Sequence, residues 1–168
     1  MIKNLSNYIL QNHTLFLLLI AIVIPIAGNK TLIIKRIATL VFILPVGISG
    51  LWSFISYLLY NNIPTIESSF TNIFEFQLAM TNLAIGVSGV LAGFLNRSYK
   101  IAVTLILTIL LWGTAIDFIY QIISYDGIYL SNFGSDFYID IILPIILWLS
   151  IIITPDKHQK QNYYTKYD

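Results

Sequence analysis

The feature that most constrains this chain is its long runs without charge. Between Ile37 and Tyr60 no residue is ionisable except the tyrosines, and a helix crossing a hydrocarbon core of roughly 30 Å needs about 20 mostly apolar residues. Four further apolar runs, separated by short polar breaks, accompany it. Across all 168 residues 57% are hydrophobic and 10% charged, where a soluble domain carries roughly a quarter charged residues. That composition leaves little room for a water-soluble monomer, which would have to expose large apolar patches. The net charge of +1 offers nothing to nucleic acid, and the absence of cysteine removes disulfides, thiolate metal sites and thiol catalysis together.

The runs predict an all-α, polytopic transmembrane helix bundle over residues 1–154, followed by a short cytoplasmic tail, 155–168. Its five hydrophobic segments are about 8–28, 37–60, 72–95, 101–124 and 138–154. Pro45, Gly47, Gly50 and Pro144 fall inside them and read as bends, because neighbouring helices re-satisfy backbone groups that proline frees. Lys30, Lys35, Arg36, Arg97, Lys100, Lys157, Lys160 and Lys166 sit in the first and third connections and the tail. The second and fourth connections hold Glu67, Asp126 and Asp136 and no basic residue. Since cytoplasmic loops are enriched in Lys and Arg, five crossings with the N-terminus outside place eight of the nine basic residues in the cytoplasm. Lys3 alone dissents. The expected location is a bacterial inner membrane. Tyr57, Tyr60, Tyr120, Tyr125, Tyr129 and Tyr138 gather toward the outer ends and read as interfacial anchors.

The first segment has alternatives. Its strictly apolar part, Leu15 to Ala27, is short, so it reads either as a crossing with Gln11, Asn12 and His13 at the interface or as a re-entrant or surface-lying piece. A cleaved signal peptide ending near Ala27-Gly28 fits the outline, but it would leave Lys30, Lys35 and Arg36 outside, against the charge rule.

Polar residues inside the segments carry what chemistry there is. Glu75, Ala79, Asn82, Gly86, Gly89 and Gly93 follow one another by 4, 3, 4, 3 and 4 residues and share a helix face. The glycines read first as a packing seam, since small residues let membrane helices approach closely. Gly113, Asp117 and Gln121, spaced by four, form a second such face, with Gly113 as a packing position; Ser49, Ser53, Ser56 and Tyr60 form a third. The three faces are expected to meet at the bundle centre.

Depth singles out the acids. On the proposed orientation Glu75 and Asp140 lie in first turns and Asp117 about 10 Å below the outer end of its helix, at 1.5 Å per residue. No Lys or Arg shares that depth, and His13 at the outer start of the first segment is the nearby basic candidate. Glu75 and Asp140 also admit a plain role as N-terminal caps. Asp117, near the C-terminal half of its helix, does not, and an ionisable group at depth is by default a functional residue. A site built of these groups could take a proton, a metal ion or an amine. No HxxxH, HExxH, Walker, GxGxxG or GxSxG pattern occurs, so no residue is assigned a catalytic role and no cofactor or metal is named.

Three stretches, Glu75 to Phe94, Trp112 to Ile122 and Asn132 to Trp148, resemble a domain-of-unknown-function family of small bacterial four-helix integral membrane proteins. The resemblance covers about residues 70–150, and the matching positions are Glu75, Asn82, Gly86, Gly113, Gln121, Asn132, Gly134, Asp140 and Pro144. Relatives tend to carry Gly-His where this chain has Asp117-Phe118. The resemblance implies an integral membrane protein with an outward polar site and favours four full crossings over five. It transfers no activity.

The expectation is thus a bundle with an outward acidic site, formed by Glu75, Asn82, Asp117, Gln121, Asp140 and His13, that binds or passes a small cation, proton or polar ligand. Helix packing falls to Gly86, Gly89, Gly93 and Gly113. One alternative is an accessory or scaffold subunit that docks a larger membrane partner, or a second copy, through the glycine face. Another is a quinone- or lipid-linked enzyme with Trp112 and Tyr120 lining an apolar pocket. The bilayer is the expected surrounding, and nucleic acid is not expected.

Overall fold

The computed structural model describes residues 12–26, 33–60, 69–124 and 135–154. The tail 155–168, Tyr125, Tyr129, Asn132, Gly134 and the Tyr60 side chain lie outside the described set. Among the described residues there are five helices and no strand. They are α1 (His13–Ile26), α2 (residues 33–60), α3 (Ser69–Phe94), α4 (Arg97–Ser124) and α5 (Ser135–Ile153). Three of them, α2, α3 and α4, are long and apolar enough to cross a membrane, while α1 and α5 are shorter apolar helices.

Successive helices run antiparallel, and two residues suffice to join α3 to α4. There Asn96 Oδ1 accepts the Tyr99 N–H at 3.0 Å, satisfying one of the donors that a helix start leaves open. The bundle therefore has two ends. Lys35, Arg36, Arg97 and Lys100 mark one, and Glu75, Asp117 and Asp140 lie toward the other.

Helix α2 changes its winding midway. Ile33–Val41 and Ser49–Tyr60 are α-helical, but Phe42–Ile48 is a π-helix containing Pro45. Proline has no N–H to give, and its ring clashes with the carbonyl four residues back. A wider turn removes that conflict. The Ser49 N–H accordingly reaches back five residues to the Leu44 carbonyl.

All five helices pack together at the basic end. Leu18 and Ala21 of α1, Val41, Phe42 and Val46 of α2, Ala92 of α3, Val103 and Leu107 of α4, and Leu143, Leu147 and Ile151 of α5 form the core, which Ile139 extends along α5 toward the other end. Lys100 lays its ammonium 5.8 Å from the Phe42 ring centroid, an arrangement the ring quadrupole favours. Trp148 Nε1–H donates to Thr108 Oγ1 at 3.1 Å, tying α5 to α4. Toward the acidic end the arrangement loosens, and residues 49–60 of α2 pack chiefly on α3. The outward faces are apolar: Ile109, Ile116 and Ile123, two turns apart along α4, are 67, 67 and 74% exposed. Such a stripe calls for lipid around it.

The α2–α3 contact is a glycine seam. A Cβ added at Gly86 would lie 2.6 Å from the Leu51 backbone nitrogen, one at Gly89 2.7 Å from that of Gly47, and one at Gly50 2.8 Å from the Asn82 carbonyl oxygen. Backbones in such contact admit no side chain. Gly93 joins the seam against Ile43. Gly113 does not, because an added Cβ there would meet nothing within 4 Å. The expected packing role of Gly113 is therefore corrected.

Candidate functional site

The seam brings the polar face of α3 against the serine face of α2, and where the glycines end the two helices flank an open cleft. Ser53, Ser56 and Tyr57 line it from α2, with Glu75, Leu78, Ala79 and Asn82 from α3, around a volume of about 320 Å³. The spacing explains the convergence. Ser53 and Ser56 lie one and two turns beyond Ser49, while Glu75, Ala79 and Asn82 continue the line of Gly86 toward the acidic end. The Tyr57 ring also meets Phe76, with centroids 6.5 Å apart and planes tilted by 57°. Tyr57 is thus a wall of the cleft as well as an end-of-helix aromatic.

Glu75 does not cap its helix. Helix α3 begins at Ser69, three residues before the expected start, which places Glu75 in the second turn. Asp140 is likewise displaced from the first turn, since α5 begins at Ser135. The capping explanation is corrected for both, because the orphan N–H groups it invokes belong to the first four residues.

The other acids lie elsewhere. Asp140 Oδ2 accepts the Thr114 hydroxyl at 2.8 Å, a bond between α5 and α4. Asp117 Oδ2 accepts the Gln121 side-chain amide at 2.7 Å along α4 itself, on an exposed face. Their spacing of four makes this pairing local to α4. Among the described residues no three His, Asp or Glu side chains come together as a metal-ion group. The single acidic cluster expected from Glu75, Asp117 and Asp140 resolves into a cleft between α2 and α3 and a separate pair of bonds on α4 and α5.

His13 is also displaced. Its Nε2 lies 3.1 Å from Ser49 Oγ, and Thr14 Oγ1 lies 2.6 Å from the same oxygen. Ser49 stands eleven residues before the end of α2, about 16 Å along the helix at 1.5 Å per residue. His13 therefore sits near mid-depth and not at the level of the acids. It belongs to the continuation of the cleft's polar line, because Ser49 is one turn below Ser53 on the same face.

Two features of this site escape a reading of spacing alone. Gly47 and Gly50 are the α2 half of the seam, hidden by the π-turn that shifts their phase. Thr114, which binds Asp140, lies three residues before Asp117, and its spacing names no partner on α5.

The model of a family of unknown function, DUF6790, matches residues 7–161. The match extends well beyond the three stretches that carry the resemblance and takes in α1 and α2 as well. No curated protein and no solved structure matches the chain.

Proposed function

The chain belongs to the DUF6790 family of unknown function, and we propose that it is a multi-pass protein of the bacterial inner membrane whose α2–α3 cleft binds or passes a small cation, proton or polar ligand. The N-terminus lies outside and the C-terminus in the cytoplasm, so that the cleft opens outward. Support for this orientation comes from Lys35, Arg36, Arg97 and Lys100 at one end of the bundle, the end that the positive-inside rule assigns to the cytoplasm.

One observation carries the functional reading. Glu75 sits beyond the first turn of its helix and lines a cleft together with Asn82, Ser53 and Ser56. A carboxyl placed inside a membrane helix is costly and faces a partner or a water-filled cavity. Here the surrounding hydroxyls and amide supply polar contacts that an incoming ligand can take over. The scaffold alternative loses the surface it relied on, because Gly86, Gly89 and Gly93 face α2 of the same chain.

Equilibrium dialysis of the full chain in lipid nanodiscs against alkali cations, ammonium and small polar solutes tests the reading. Retention above empty nanodiscs is expected for at least one solute, with loss in Glu75→Gln and Asn82→Ala variants that unfold at the wild-type temperature. Retention of none, or retention untouched by both variants, refutes it.

A further inference from the structure

Resting on the cleft reading above, we propose that the ligand is an organic ammonium, a protonated amine carried on an apolar body, and not a bare metal ion or an anion.

Size comes first. A volume of about 320 Å³ lies at the lower edge of small-molecule pockets. A bare cation would leave most of it empty. Such ions also gather several oxygen ligands, usually with more than one carboxylate, and among the described residues Glu75 is the one carboxyl lining this cleft.

Charge comes second. Among the described residues the lining contains Glu75 and no basic side chain, so an anion finds a like charge there and no cation to offset it. A cation meets the carboxylate in surroundings where low dielectric strengthens the attraction.

The shape of the chemistry comes third. The side chains of Ser53, Ser56 and Asn82 line the same groove as that carboxyl, and their oxygens are able to accept from the several N–H donors of an ammonium group. Leu78 and Ala79 add apolar lining, and Tyr57, whose ring meets that of Phe76, adds an aromatic one. Aromatic faces attract ammonium groups and also accept alkyl chains. One head-group end and one apolar end describe an amphiphilic amine, a solute that reaches such a site readily from the outer leaflet.

Ligand-detected NMR titrations of the full chain in nanodiscs, with empty nanodiscs subtracted, test the assignment using benzylammonium, benzyl alcohol and benzoate as probes. Benzylammonium is expected to bind, to weaken about ten- to a hundredfold in Glu75→Gln, and to be unchanged in Thr81→Val. Thr81 is exposed on α3, with its hydroxyl bonded to the Gln77 carbonyl of its own helix. Benzyl alcohol is expected to bind at least tenfold more weakly, and benzoate not at all. If the alcohol or benzoate binds as tightly as the amine and is lost in Asn82→Ala, the cleft holds a ligand but the ammonium assignment is overturned. If no probe binds, and none of the solutes in the dialysis test is retained, the cleft reading falls together with it.

Discussion

Replacing Gly86 by alanine tests the tightest backbone contact of the glycine seam with a single methyl group. The new Cβ would stand 2.6 Å from the Leu51 backbone nitrogen, 2.9 Å from Leu51 Cγ and 3.0 Å from the Gly47 carbonyl oxygen. Ordinary contact begins at 3.4 Å, so α2 and α3 must part locally by roughly 0.8 Å, in an interior packed as densely as an organic crystal. Neither backbone obstacle can rotate aside, which puts the cost toward the upper end of the ~1–3 kcal/mol typical of overpacking. Alanine's better helix propensity returns at most about 1 kcal/mol. The expected net loss is about 2 kcal/mol. Gly113→Ala is the matched control: it carries the same propensity gain with nothing within 4 Å of the new atom, so it is expected to be neutral or stabilising by up to ~1 kcal/mol. Reversible SDS-induced unfolding in mixed micelles, followed by circular dichroism, measures both. Equal stability of the two variants would refute the seam as the contact that fixes α2 against α3.

Thr104 is fully buried and its hydroxyl has no hydrogen-bond partner; Thr104→Val keeps the shape and removes that burden, so the same unfolding assay is expected to show a gain of about 1 kcal/mol or more. Ser49→Ala removes the oxygen shared by His13 and Thr14 and is expected to cost about 1–2 kcal/mol while freeing the start of α1, seen as faster amide exchange there. For topology, Asn29→Cys and Asn132→Cys are expected to react with a membrane-impermeant maleimide from opposite sides of the bilayer; reaction from the same side rejects the orientation.

Much of the helical architecture was visible in the chain because lipid-length runs leave few alternatives, and the glycine face of α3 was visible because a straight helix preserves its 3.6-residue phase from Glu75 to Gly93. Helix α2 behaves differently. Pro45 announces a bend, but its π-turn advances the phase, so Gly47 and Gly50 reach the seam in a way that counting does not reveal. The partners of the acids were hidden for another reason. Spacing reports which side chains share a face, as Asp117 and Gln121 do, but whether two faces meet depends on how helices diverge along their length. Here the divergence follows from a short α1 and from loose packing toward the acidic end, neither of which is written in any single helix. His13 was misplaced by the same cause, since its depth depends on where α1 begins relative to Ser49.

The π-turn at Phe42–Ile48 also makes the facing of the cleft a matter of arithmetic. Each residue of an α-helix advances the azimuth by about 100°, and a π-turn behaves as one residue accommodated without lengthening the rod. Everything beyond it, Ser53, Ser56 and Tyr57 included, points where it does because of that surplus. Winding the same residues as a plain α-helix would swing the serines about 100° away from Glu75 without altering a single residue of the cleft, and deleting one residue as well would swing them back. In this protein the wall of a site is aimed by how a neighbouring stretch winds, and a turn set in the basic half governs the chemistry of the acidic half.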